Sequence, residues 1–370
     1  MNRIIPLLLS ALFSIPPQLH AEDAIRIGSI LSLSGPIAAI GEGARRGQQL
    51  AIEDINNSGG INGRNIEVIY EDSAGEPARA VSALNKLAAE VTYPIIYSSL
   101  TSVAQAIKPL TEKRGTLLFM EAGLTGILDG TKLAVRNFAD FKLIYQELRN
   151  YVESKNIKKV ALLIAEEEWA ESSLKGFTET GKNEVQIVAK EYAAKGITDL
   201  KPQLMRLKAK SADAELLIIM LIGSAQAAAI NQASQLGITL PKATSYLCSQ
   251  TGILSTVGDA YNGNVTIEGQ VDFTSPLYQT FLTRYEAMFK SRHPEFNSLT
   301  SYDSLMILAD ALRAGATTPQ AIKDYIVSKK QFIGVLGTTT FNSQGDAIRG
   351  GMVQIIKDRN CIAVDNKNSP

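Results

Sequence analysis

From Ile25 onward, short apolar runs alternate with amphipathic stretches almost without exception. The runs Ile25–Leu33, Asn65–Glu71, Tyr93–Tyr97, Thr116–Met120, Val160–Ala165, Gln186–Tyr192, Glu215–Leu221 and Ala243–Leu247 predict strands. They are short, rich in branched residues and bounded by turn formers. Helical spacing fills the gaps, at Pro77–Val91, Ser102–Arg114, Ala139–Ser154, Ala170–Gly181, Leu200–Lys210 and Ser224–Leu236. Such alternation predicts an α/β fold of parallel sheets with helices on both faces. No short repeat is present, but the two halves share one β/α rhythm, as two similar lobes do. After Gly269 the pattern changes to long helices, Pro276–Ser291, Leu299–Ala314 and Pro319–Lys329, and then a terminal β segment.

The unit Ile25–Asp72 is the most informative. A buried strand leads into the turn SGP (Ser34–Pro36), then a helix with Ala44, Gly47, Ala51 and Ile55 at helical spacing. INNSGGINGR (55–64) closes that helix at Gly59-Gly60, and a second strand ends in YED (70–72). This block resembles the opening of the periplasmic binding proteins of the branched-chain amino acid type, the solute receptors of ABC importers. TFNSQGDAIRG (340–350) is similar to a later stretch of the same family, so the resemblance covers nearly the whole chain. It implies two Rossmann-like lobes joined by a hinge that the chain crosses three times, near Arg136–Asp140, Gly269–Phe273 and Gly337–Phe341. The expected division is a signal peptide over 1–21, lobe 1 over 22–137 plus 271–338, and lobe 2 over 138–270 plus 339–370.

Met1–Ala21 carries one positive charge (Arg3), an apolar core from Ile4 to Ile15 and a small residue at Ala21. That is the grammar of a secretory leader, so the mature protein is expected in the periplasm. The longest later apolar run, Leu216–Ile222, is far short of a membrane span, so no membrane insertion is expected. Acidic and basic residues balance at 37 each, which removes any general pull on nucleic acid. His293 is the only histidine outside the leader, and G-x-S-x-G is absent. Both facts speak against a hydrolase, and no enzyme activity, cofactor or metal is expected. Cys248 and Cys361 have an oxidising compartment available but no local feature that pairs them, so a disulfide stays open. The spacing of Gly41, Gly43 and Gly47 is wrong for a dinucleotide fingerprint, and Asp72 reads as an organiser of its turn.

Ligands of open α/β sheets bind beyond the carboxyl ends of the strands, so candidate residues lie in loops. Thr101-Ser102 opens a predicted helix, where free N–H groups and a hydroxyl suit a carboxylate; either residue could instead cap that helix. In the family the matching serine/threonine turn grips the ligand carboxylate, and an aromatic at the place of Trp169 walls the cleft. Leucine-binding members use a second-lobe acid for the ligand ammonium, and Gln250 takes its place here. Ile40, Leu124 and Ile222 align where that subfamily has tyrosine or threonine. With Leu100 and Ala122, these residues are the expected contact set. An unpaired buried ammonium is costly, so either the alignment slips at Gln250, or Glu121 or Asp272 supplies the anion, or the ligand has no ammonium. The reading adopted is the last: a small carboxylic acid with an apolar or aromatic body. The resemblance implies a monomeric receptor that closes over this ligand and presents it to permease subunits. A sensor of the same fold is the alternative.

Overall fold

The computed structural model describes residues 24–358 and 360–364; the leader expected over 1–21 lies outside them. β1 (Ile25–Leu31), β2 (Ile66–Asp72), β3 (Ile95–Ser99), β4 (Leu117–Glu121) and β5 (Ala134–Arg136) form a parallel sheet in the order β2-β1-β3-β4-β5. β6 (Lys159–Ala165), β7 (Gln186–Ala193), β8 (Leu216–Met220), β9 (Lys242–Ser245) and β10 (Val265–Gly269) form a second parallel sheet, ordered β7-β6-β8-β9-β10. Relative to its own first strand, each sheet follows the same 2-1-3-4-5 order. The shared rhythm of the two halves thus becomes a shared topology.

Helices connect successive strands. In the first half these are α1 (Ala38–Asn57), α2 (Pro77–Leu87) and α3 (Thr101–Lys113). α4 (Phe141–Ser154) carries the chain from β5 to the second sheet, followed by α5 (Glu168–Thr178), α6 (Lys201–Lys210), α7 (Gly223–Gln235) and the short α8 (Thr251–Val257). The chain then returns through α9 (Pro276–Phe289), α10 (Phe296–Arg313) and α11 (Pro319–Lys329). α10 begins three residues earlier than the apolar periodicity alone indicates, because Phe296 is itself buried.

The terminal β segment resolves into two parts. β11 (Gln331–Gly334), β12 (Gly337–Phe341) and β13 (Ala347–Ile348) make a small antiparallel sheet. Its Phe332, Phe341 and Ala347 pack into the apolar core shared by β1, β3, α1 and α10. The chain enters the larger sheet at Gly351, where β14 (Gly351–Lys357) pairs antiparallel to β10 and β15 (Asn360–Ala363) closes the edge.

α1 and α10 approach closely, and the glycines of the α1 motif are the reason. A Cβ at Gly47 would lie 2.0 Å from the Ser298 carbonyl oxygen, and one at Gly41 would lie 2.2 Å from the Ser32 carbonyl oxygen. The Ser298 and Ser301 hydroxyls donate to the Gly43 and Ala44 carbonyls at 2.9 and 2.8 Å. Gly47 therefore serves the α1–α10 contact, and Gly41 the close approach of α1 to the turn after β1. Asp72 organises its turn: it accepts from the Leu33 and Ala74 N–H groups and from the Ser34 hydroxyl.

Arg136 ends β5 at the first passage between the sheets and is only 2 % exposed. Its guanidinium donates to Asp346 through Nε and Nη2, to Asp140, and to the Ala122 and Leu124 carbonyls. One buried cation thereby ties β4, β5, the start of α4 and the turn before β13.

Candidate functional site

The carboxyl ends of both parallel sheets face one cavity of about 340 Å³. Loops after β1, β2, β3 and β4 form one wall, and loops after β6, β7, β8 and β9 the other. Side chains of the two walls meet across it. Lys195 Nζ donates to the Gly75 carbonyl at 3.4 Å, Gln105 Nε2 to Glu168 at 2.5 Å, and Thr125 shares a hydrogen bond with Ser172 at 2.9 Å. The cleft is therefore closed.

The residues that precede α1, α2, α3, α5 and α7 are Ile37, Glu76, Leu100, Glu167 and Ile222, and all five line the cavity. None of these helices has a side-chain cap. Among the described helices, α4 and α11 are capped by Asp140 and Thr318, and neither cap lines the cavity. Uncapped N-termini leave N–H donors and positive dipole potential directed at the cleft, a setting for an anion.

At α3 the arrangement is most specific. Leu100 takes φ 74°, a left-handed conformation that an apolar residue rarely adopts and that is typical of ligand-gripping turns. The Thr101 hydroxyl accepts from the Gly123 N–H at 3.2 Å and keeps its own proton to donate. Thr101 and Ser102 thus line the cavity without capping the helix.

The walls between these donors are aromatic. Trp169 is buried, its ring 5.5 Å from that of Phe141, and its indole N–H donates to Glu167 at 3.0 Å. Tyr246 stacks on Phe138 at 6.0 Å and meets Phe141 edge-on at 5.8 Å. Tyr246 also has a positive φ of 55°, so two strained non-glycine residues face the cleft from opposite walls. The indole thereby holds Glu167 on the cavity wall.

Of the expected contact residues, Ile40, Leu100, Thr101, Ser102, Trp169, Ile222 and Gln250 line the cavity. Ala122 and Leu124 do not. Arg136 draws both of their carbonyls toward itself, so Ala122 is buried in the wall and Leu124 faces a neighbouring opening. Gln250 is buried with its Oε1 unpartnered among the described residues. Asp272 is exposed and away from the cavity, its carboxyl held below the usual range chiefly by the Thr274 hydroxyl. It cannot serve as the buried anion. Sequence reasoning did not select Phe138, Phe141, Tyr246 or Asn297, which also line the cavity.

Glu121 does line it. It is 2 % exposed and accepts from Asn297 Nδ2 at 2.7 Å and from the Thr300 hydroxyl. Burial pushes its carboxyl up to about 7, only partly offset by these donors. Glu268 behaves similarly behind the opposite wall: burial raises it to about 7, and it accepts from the Ser249 N–H at 3.0 Å. Cys248 and Cys361, left open by the sequence, form a disulfide with Cα atoms 6.0 Å apart. It fastens the Tyr246–Gln250 loop to β15, a pairing no local pattern could reveal because 113 residues separate the two.

A family model described as periplasmic binding protein matches residues 24–360. The chain belongs to that family. Its relatives are binding proteins, with the Leu/Ile/Val-binding type prominent among them. The Leu/Ile/Val-binding protein BraC3 of Rhizobium johnstonii is 33% identical over 129 residues, which is 32% of this chain and 35% of that protein. The matched segment thus spans about a third of that relative's length. Among solved structures, the substrate-binding protein LivJ of a branched-chain amino acid transporter from Streptococcus pneumoniae, in complex with isoleucine, superposes with TM-score 0.84 at 26% identity. That match covers 92% of this chain and 99% of LivJ. A solute-binding protein of an ABC transporter from R. palustris, in complex with benzoate, superposes with TM-score 0.83 at 17% identity, covering 92% and 95%. No helix among the described residues is long and apolar enough to cross a membrane.

Proposed function

We propose that this protein is an exported solute receptor that carries a small organic acid to an ABC importer. The ligand has a carboxylate, an apolar or aromatic body and no ammonium. The convergence of five uncapped helix N-termini on an aromatic-walled cavity carries this reading. The carboxylate sits at Thr101-Ser102 and the body lies against Trp169 and Tyr246. An ammonium is disfavoured because Gln250 is uncharged and Glu121, the buried acid on the wall, is already hydrogen-bonded within its own lobe. Because the ligand touches both walls, binding favours the closed cleft, and the closed form is what the permease recognises. The benzoate-bound relative supports an acid of this kind in the same fold.

A thermal-shift screen of the mature protein against leucine-like amino acids, aliphatic acids and aromatic acids tests the proposal. Ligand at roughly a hundred times its dissociation constant adds about 2.7 kcal/mol, a clear rise in Tm. Shifts confined to ammonium-free acids are expected. A shift with leucine or isoleucine, as the isoleucine-bound relative would predict, would reverse the reading and make Glu121 the partner of an ammonium.

A further inference from the structure

Beyond the carboxylate grip, the aromatic walls and Gln250, the cavity has a further polar point, where β4 ends against the start of α10. Glu121 and Asn297 meet there. Glu121 Oε2 accepts from Asn297 Nδ2 at 2.7 Å, which fixes the plane of that amide. Asn297 is half-buried on the cavity wall, and its Oδ1 has no hydrogen-bond partner among the described residues. Glu121 Oε1 meets the Thr300 hydroxyl, which also lies 3.2 Å from the Phe296 carbonyl. The Thr300 hydroxyl can therefore donate to the Phe296 carbonyl and accept a hydrogen bond from a protonated Glu121, so a neutral carboxyl is accommodated without rearrangement.

Among the described residues, nothing cationic offsets an ionised Glu121. Tyr97 of β3 and Tyr246 of the loop after β9 are the titratable groups facing it, both phenols pushed well above their ordinary range by burial. α10 offers Asn297 and Thr300. Arg136 of β5 reaches only the neighbouring carbonyls and spends its guanidinium on Asp140 and Asp346. A ligand that fills the cavity removes the remaining water, and an unpaired carboxylate there becomes costlier still.

We propose that Glu121 and Asn297 form a second recognition point of the cleft, which binds a neutral hydroxyl of the ligand while Glu121 holds a proton. This inference rests on the acid-receptor reading above and narrows it to hydroxylated acids. The Asn297 amide offers both an acceptor and a donor, which a hydroxyl matches and a bare ring edge does not. The proton comes from solvent, so binding consumes one on Glu121 to the extent that the free protein is ionised.

Isothermal titration calorimetry with 4-hydroxybenzoate, benzoate and leucine, at about pH 6 and about pH 8, tests this. The hydroxylated acid is expected to bind roughly tenfold tighter than benzoate, the worth of one buried hydrogen bond. Its affinity is expected to weaken about tenfold from the lower to the higher pH, because only the protonated form of a group titrating near neutrality binds well. Glu121→Gln, which can keep both its hydrogen bonds, should bring that pH ratio to within about twofold. Asn297→Leu should remove the preference for the hydroxyl. A flat pH profile in the unaltered protein would overturn the proposal. So would a profile that survives Glu121→Gln, which would point to Glu268 instead. Binding of both acids without preference refutes the hydroxyl point alone and leaves the acid receptor standing. Leucine binding that Glu121→Gln abolishes, or failure of every acid to bind, removes both.

Discussion

Trp169 and Thr101 hold opposite walls of the cleft, and each acts through a contact that a truncation deletes. Removing the Trp169 ring strips apolar surface from the cavity wall against which the proposed ligand lies and leaves Glu167 without its indole donor. Trp169→Ala should weaken ligand binding roughly 10- to 100-fold, the scale of a buried aromatic anchor. Thr101→Ala also leaves the Gly123 N–H without its acceptor and should cost roughly tenfold. Calorimetry alongside circular dichroism separates these losses from unfolding; unchanged affinity in both variants would place the ligand elsewhere. Both residues were legible in the sequence because each follows a recognisable strand. Asn297 was not: it stands at the start of α10, far along the chain from the β4 end that it meets. Ala122 and Leu124 were misplaced because their turn is set by the Arg136 guanidinium, which no local pattern reports.

Among the elements, the α1–α10 pair shows how a motif can be read correctly for the wrong purpose to be excluded. Gly41, Gly43 and Gly47 resemble a phosphate loop in spacing only loosely, yet the space above each is filled by protein. Gly43 faces the Glu295 side chain, while Gly41 and Gly47 face backbone carbonyls that cannot move aside cheaply. Gly47→Ala should therefore destabilise the protein by about 1–3 kcal/mol through overpacking. Urea unfolding measures it, and a neutral result would mean that the helices can separate without loss. The Tyr246–Gln250 loop is a contrasting case. Its place is held by Glu268 and by the Cys248–Cys361 bridge to β15, neither of which its own residues announce.

At the level of the whole molecule, buried acids link stability to pH. Burial raises Glu121 and Glu268 from 4.5 to about 7 and Asp303 from 3.8 to about 6. A native carboxyl with a raised pKa binds its proton more tightly than the unfolded chain does. Its contribution is thus fully present below the unfolded pKa and is lost as pH climbs through the native one. Asp72, Glu112 and Glu153 are lowered instead, chiefly by hydrogen bonds that outweigh their burial, so their contribution is lost only in more acidic solution. Tm should accordingly fall between about pH 5 and about pH 8, and combining Glu121→Gln with Glu268→Gln should flatten that slope. A Tm that rises across this interval would show that the two carboxyls are ionised in the native state.

What the sequence determined by itself was whatever repeats at short range: the strand and helix rhythm, the α/β class, the opening motif and the loops that end each strand. Those follow from side-chain periodicity and turn chemistry, which act over a few residues. The tertiary structure decided what depends on residues far apart in the chain. It joined Cys248 to Cys361, bent the Ala122–Leu124 turn onto Arg136, and set Asn297 against Glu121. Each is a meeting of residues far apart in the chain, fixed only when strands, helices and loops pack, and packing leaves no periodic trace in either partner.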